Sequence, residues 1–246
     1  MYSRYKKQFQ DARDGLCKPE KIKGFKINEK PSSIRENTRI TDISAMSGST
    51  NVNNVLDKVP ATWKSKAKTF FFRFDTDGDG LHTRRDYEEI VNRLTGYLKK
   101  SGSNPSDDRL QGLKHTFIDV VWSEFVAGNH DTGSNRKVTL QEFTTNVAKK
   151  LDEREYAEAV CKAISTHYFD IIDINSDGSI SLKEYGDFME LFGVDPKHAP
   201  GAFESLDADC NNEISREEFF NAMQNFWLSM DDTGFGACML GPLIKW

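Results

Sequence analysis

The 246-residue chain is 37% hydrophobic and 29% charged, enough for one or two domains with a real core, and its formal net charge is −5. The acidic balance argues against a nucleic-acid partner, and no run approaches the roughly 18 apolar residues that would suggest a membrane-crossing helix. Cys17, Cys161, Cys210 and Cys238 form no CxxC pair, which points to neither a zinc site nor a disulfide framework.

Charge is unevenly spread. Residues 1–59 hold 12 Lys+Arg and 7 Asp+Glu, a net +5, so residues 60–246 carry −10. This basic, polar arm lacks sustained periodicity and is expected to be largely disordered, with no partner specified. "MYSRYKKQFQ" has no apolar core of a secretory signal, so a cytoplasmic monomer is expected.

From Pro60 the pattern becomes helical. Trp63, Ala67, Phe70, Phe71 and Phe74 recur at helical spacing, with Thr62 as a candidate N-cap. Tyr87, Ile90, Val91, Leu94 and Leu98 share a face of the next helix. A third begins at a Ser106 cap and carries Leu110, Leu113, Phe117, Val120, Val121 and Phe125. Helix and polar loop alternate to about Met230, and almost nothing shows strand alternation. The chain reads as all-α.

Four segments repeat in register: "DTDGDGLHTRRD" (75–86), "DTGSNRKVTLQE" (131–142), "DINSDGSISLKE" (173–184) and "DADCNNEISREE" (207–218). Each follows an apolar helical stretch and is followed by an aromatic residue, which makes four EF-hand helix–loop–helix motifs. Calcium is a hard cation that takes six to eight oxygens. Side chains at loop positions 1, 3, 5 and 12, with the carbonyl at position 7, supply most of them. Position 6 must turn sharply, and position 8 enters a short strand beside its partner loop.

The third loop fits throughout: Asp173, Asn175, Asp177 and Glu184 by side chain, Ser179 by carbonyl, Gly178 at the turn. The fourth offers Asp207, Asp209, Asn211 and Glu218, with the Glu213 carbonyl. Its position 6 is Asn212, the non-glycine residue that best tolerates positive φ. Cys210 in that loop reads as an exposed thiol. The first offers Asp75, Asp77, Asp79, the Leu81 carbonyl and Asp86. Asp86 is one methylene shorter than Glu, which lowers coordination and shifts preference toward magnesium. His82 at position 8 is a packing anomaly and too soft a donor for calcium. The second loop has Gly133 at position 3 and Arg136 at position 6, so it is expected to pair with the first without binding. Three calcium sites are therefore expected, the first open to magnesium.

These residues resemble the invertebrate sarcoplasmic calcium-binding proteins, to which calexcitin and the coelenterazine-binding proteins are similar. Three features carry the resemblance: a first loop ending in Asp86, a degenerate second loop, and the ending "NFWLSMDDTGFGACMLGPL". The loop starts lie 56, 42 and 34 residues apart. The resemblance implies two EF-hand pairs, 60–152 and 153–246, in one compact globule around a shared apolar interior. Phe226, Trp227, Phe235, Met239, Leu240 and Leu243 would fill that interior from the C-terminal side. Calcium-triggered photoproteins share this architecture, but Met223 stands where they carry His, so light emission is not expected.

The function expected is calcium buffering with some magnesium exchange. One alternative is a carrier of a small hydrophobic ligand, in a core lined by Trp63, Phe70, Phe71, Trp122, Phe125, Phe188, Phe192 and Trp227. The other is a sensor for a protein target. No P-loop, HExxH or GxSxG occurs, so no enzyme is expected.

Overall fold

The computed structural model describes residues 52–100, 106–128, 135–151, 153–230 and 238–246. Most of the expected arm, 1–51, lies outside them. Its last residues do not follow the expectation of disorder: Val52–Asp57 form a short helix, α1, with Leu56 buried.

Helix α2, Ala61–Phe74, begins after Pro60. Pro60, not Thr62, is its N-cap, and no side chain caps it. The proline fixes φ at −59°, so the turn is set without a capping hydroxyl. The five expected apolar residues are all buried, together with Lys66 and Thr69. Burial of Lys66 is matched by its contacts. Its Nζ donates to the Asn225 and Ser229 carbonyls, 3.2 and 3.1 Å away. These lie at the end of α9 (Arg216–Leu228), where the helix dipole is negative. Trp63 Nε1 donates to Trp227 O in the same region, at 2.8 Å.

Helix α3, Arg84–Lys100, buries Tyr87, Ile90, Val91, Leu94 and Leu98 as the sequence pattern requires. Ser106 caps α4, Asp107–Lys114, accepting from Arg109 N–H at 3.2 Å. The chain then widens into a π-helix over His115–Val126. This changes which side chains face inward. Phe117, Val121, Trp122 and Val126 are buried, four or five residues apart, while Val120 and Phe125 are only half-buried. The α-helical spacing read from the sequence does not anticipate that shift.

Helix α5, Leu140–Leu151, and α6, Arg154–Ile172, follow. Helix α7, Leu182–Leu191, a 3₁₀ turn at Pro196–His198, and α8, Ala199–Leu206, lead to α9. Helix α9 packs most extensively on α6, and α5 joins the halves by touching α2, the π-helix and α6.

Strand content is limited to two two-stranded antiparallel sheets among the described residues. In one, β1 (Leu81–His82) pairs with β2 (Val138–Thr139), Leu81 opposite Thr139 and His82 opposite Val138. In the other, β3 (Ser179–Ile180) pairs with β4 (Ile214–Ser215), Ile180 opposite Ile214. These are the loop-to-loop contacts expected of position 8.

The C-terminal segment 238–246 lies along α2. Met239 and Leu240 are buried, and Leu243 is half-buried. Tyr185 Oη donates to Met239 O at 2.8 Å, Arg73 Nε to Leu240 O at 3.3 Å, and Ile244 N–H to Thr69 Oγ1 at 2.8 Å. Gly241 sits at φ +81°, where a Cβ would lie 2.8 Å from Val194 Cγ1. Phe235 lies outside the described residues.

Candidate metal centres

Three loops are built on one plan. Position 1 ends the entering helix: the Asp75, Asp173 and Asp207 amides donate back to Phe71, Phe169 and Phe203, at 3.0, 2.8 and 3.0 Å. Position 12 lies in the first turn of the exiting helix. Ser181 with Glu184, and Ser215 with Glu218, form capping boxes. One local motif thus starts the helix and aims the carboxylate at the loop.

The position-1 carboxylates gather the loop backbone around them. Asp75 accepts from Gly78 and Gly80, both at 2.9 Å. Asp173 accepts from Asp177 and Gly178 at 3.2 and 3.1 Å, and Asp207 from Asn211 and Asn212 at 3.1 and 2.9 Å. Position 6 is left-handed in all three, with φ +79° at Gly80, +90° at Gly178 and +67° at Asn212. Position 4 is left-handed too, at Gly78, Ser176 and Cys210. Sequence reasoning missed this, although the small residue repeated at position 4 was a signal. Cys210 is disulfide-bonded, which corrects its reading as an exposed thiol.

The acids converge. One oxygen from each of Asp75, Asp77 and Asp86 lies within 4.8 Å of the others, and the same holds for Asp207, Asp209 and Glu218. In the third loop Asp177 is held by its neighbours instead: Ser179 N–H and Oγ donate to Oδ1, and Asn175 Nδ2 to Oδ2. These bonds hold the Asp177 carboxyl below its usual range. Burial pushes Asp75 and Asp207 up, and neighbouring carboxylates add to it: Asp86 and Asp79 for the first, Glu218 and Asp209 for the second. A bound divalent cation would relieve that crowding. The donors are all oxygens, the set a hard cation takes.

Asp86 is 1% exposed. Burial works to raise its pKa, but four hydrogen bonds from Thr83 and Thr76 outweigh it and hold the carboxyl below the usual range. Asp79 Oδ1 accepts from Leu81 N–H at 2.8 Å, which orients the carbonyl-bearing segment. Glu213 N–H donates to Asn211 Oδ1 in the corresponding way, at 2.8 Å.

His82 is fully buried and stacked on Phe71, with ring centroids 4.0 Å apart. Its Nε2 lies 2.8 Å from Phe71 O, and its Nδ1 lies 2.9 Å from Tyr87 Oη. A carbonyl can only accept, so Nε2 carries the proton and the tyrosine hydroxyl donates to Nδ1. Burial pulls the imidazole down to about 4, so it is neutral near pH 7. The sequence anomaly is thus a tie between β1, α2 and α3.

The second loop differs. The Arg136 guanidinium pairs directly with the Glu142 carboxylate, so a fixed cation meets the position-12 acid. Val138 and Phe143 are buried, and the β1–β2 pairing is intact. Asp131 and Gly133 lie outside the described residues.

A second feature lies between the π-helix, α5, α6 and α9. A cavity of about 60 Å³ there is bounded by apolar side chains including Phe70, Val126, Phe143, Ile164, Met223 and Trp227. Of the aromatic residues considered as a ligand-binding lining, Phe70, Phe125, Phe188 and Trp227 border it; Trp63, Phe71, Trp122 and Phe192 do not. No helix among the described residues is long and apolar enough to cross a membrane.

Helix–loop–helix units coupled by short strands define an EF-hand protein. A family model described as EF hand matches residues 166–189. The sarcoplasmic calcium-binding protein of Perinereis vancaurica tetradentata is 30% identical over 74% of this chain and 98% of its own length. The luciferin-binding protein of Renilla reniformis is 28% identical over 73% of this chain and 93% of its own. Among solved structures, the coelenterazine-binding protein of Renilla muelleri aligns with TM-score 0.55 and 26% identity, covering 74% of this chain and 97% of that one. The chain belongs to the sarcoplasmic calcium-binding protein family.

Proposed function

We propose that the protein is a cytoplasmic calcium buffer that takes up three ions, in the loops starting at Asp75, Asp173 and Asp207. The ligands are Asp75, Asp77, Asp79, Leu81 O and Asp86; Asp173, Asn175, Asp177, Ser179 O and Glu184; and Asp207, Asp209, Asn211, Glu213 O and Glu218. The observation that carries this reading is the shared position-12 scaffold. The carboxylates of Asp86, Glu184 and Glu218 are fixed by positions 2 and 9, whereas Glu142 is already paired with Arg136. The 1-methylene shorter Asp86 makes the first loop the one open to magnesium. The packed tail supports buffering over sensing, because Met239 and Leu240 cover apolar surface that a target would need. Titrating metal-free protein with calcium beside a hydrophobic dye tests this. Calcium uptake without a rise in dye binding is expected; a calcium-dependent rise would point to a sensor.

One observation favours a second role as carrier of a small hydrophobic ligand. The apolar cavity is bordered by the buried Tyr168 together with Phe70, Phe125, Phe188 and Trp227. The luciferin-binding relative supports the same role. Solvent extraction of purified protein followed by mass spectrometry tests it, and an extract with no stoichiometric compound would count against it.

A further inference from the structure

We propose that Thr76 weakens divalent-cation binding by the first loop, by occupying a carboxylate lone pair of Asp86 that the other loops leave more accessible. The inference rests on the first loop being a metal site.

The three position-12 carboxylates can be compared bond by bond. On one oxygen, each takes the N–H and hydroxyl of position 9. These are Thr83 to Asp86 Oδ2, both at 2.8 Å; Ser181 to Glu184 Oε2, at 2.9 and 2.6 Å; and Ser215 to Glu218 Oε2, at 2.8 and 2.7 Å. The other oxygen takes the N–H of position 2: Thr76 at 3.0 Å, Ile174 at 3.1 Å and Ala208 at 2.9 Å. Here the loops diverge. Among the described residues, Glu184 Oε1 has no second donor, and Glu218 Oε1 has only the long 3.4 Å contact from Asp209 N–H. Asp86 Oδ1 also accepts from Thr76 Oγ1, at 2.8 Å. Ile174 and Ala208 have no hydroxyl to offer.

A carboxylate oxygen has about two in-plane lone-pair sites. Asp86 Oδ1 and Oδ2 are therefore both filled by protein donors. A cation that takes one oxygen must displace one hydroxyl. A cation that takes both must displace two, Thr83 Oγ1 and Thr76 Oγ1. Magnesium keeps an octahedral shell and is satisfied by a single carboxylate oxygen, while calcium gains from both. With the Thr76 hydroxyl gone, either cation has one hydroxyl fewer to displace, so Thr76 weighs on the binding of both. This is distinct from the length of Asp86, because it lies in a different residue and can be removed with Asp86 intact.

The test is Thr76→Val, which keeps the backbone N–H and the branched shape and removes the hydroxyl. Calcium and magnesium are titrated separately, with the Gly80 amide resonance reporting the first loop. Calcium affinity and magnesium affinity at that loop should both rise about tenfold, given the strength of a hydrogen bond to a charged group. Thr76→Ser should behave as the parent, and Thr76→Ala repeats the test should the valine variant fold poorly. A rise for one ion only, or for neither, overturns the role of Thr76 while leaving the site. Absence of any metal response at Gly80 in the parent protein overturns both the site and the inference.

Discussion

The two EF-hand pairs meet the same demand differently. In the second pair, loops three and four share a serine–glutamate capping box, and isoleucines face each other across the sheet. In the first pair, loop one replaces the glutamate with Asp86 and the isoleucine with His82, and loop two turns Arg136 onto Glu142. The pairing of strands survives in both. The difference separates two functions of the loop. Holding the hands together needs the strand and the apolar contacts, and these persist in the first pair. What varies is the position-12 carboxylate and its donors, the groups that the proposed choice of ion rests on.

The largest break in the comparison should come from the second pair. Glu184→Gln or Glu218→Gln removes the charge of the position-12 ligand, and calcium affinity of that loop should fall about a hundredfold, measured by titration with a chelator-buffered indicator. A loss confined to a few-fold would mean that the carboxylate is not a direct ligand. Next in size, Asp86→Glu should make the first loop resemble the others, raising its calcium affinity about tenfold over magnesium. Competition titration would show it.

A smaller effect concerns folding. The folded-state pKa of His82 is about 4, below the ordinary 6.5. Between those values the unfolded chain binds a proton that the folded chain refuses. Stability of the metal-free protein therefore falls as pH drops from 6.5 toward 4, by on the order of 1–3 kcal/mol, and then levels off for this group. His82→Val should flatten that part of the profile in urea denaturation with chelator present. Smallest of all, Arg136→Ser should change stability by no more than about 1 kcal/mol, because the ion pair is partly exposed, and should add no calcium site. A fourth bound ion in that variant would show that Arg136 alone silences the second loop.

Much of this was legible because metal ligation fixes spacing. The register of Asp173 to Glu184 specifies helix end, turn and helix start together, and the left-handed Asn212 follows from its position. The core face of α3 was equally plain, since Tyr87 to Leu98 keep strict helical spacing. What escaped the sequence depends on contacts between distant residues. The neutrality of His82 needs its burial, and the seat of its ring needs the Phe71 carbonyl and the Tyr87 hydroxyl; burial of Lys66 needs the end of α9. The inward face of residues 115–126 depends on π winding, which α-helical periodicity cannot reveal.

The most direct test is a calorimetric titration of metal-free protein with calcium, in the absence and presence of millimolar magnesium, followed in parallel through the amide resonances of Gly80, Gly178 and Asn212. Three bound calcium ions are expected, with magnesium competing at Gly80 and much less at the other two. Two ions, with Gly80 silent, would contradict the account of the first loop. Competition by magnesium that is strongest at Gly178 or Asn212 would contradict the claim that Asp86 opens the first loop to magnesium.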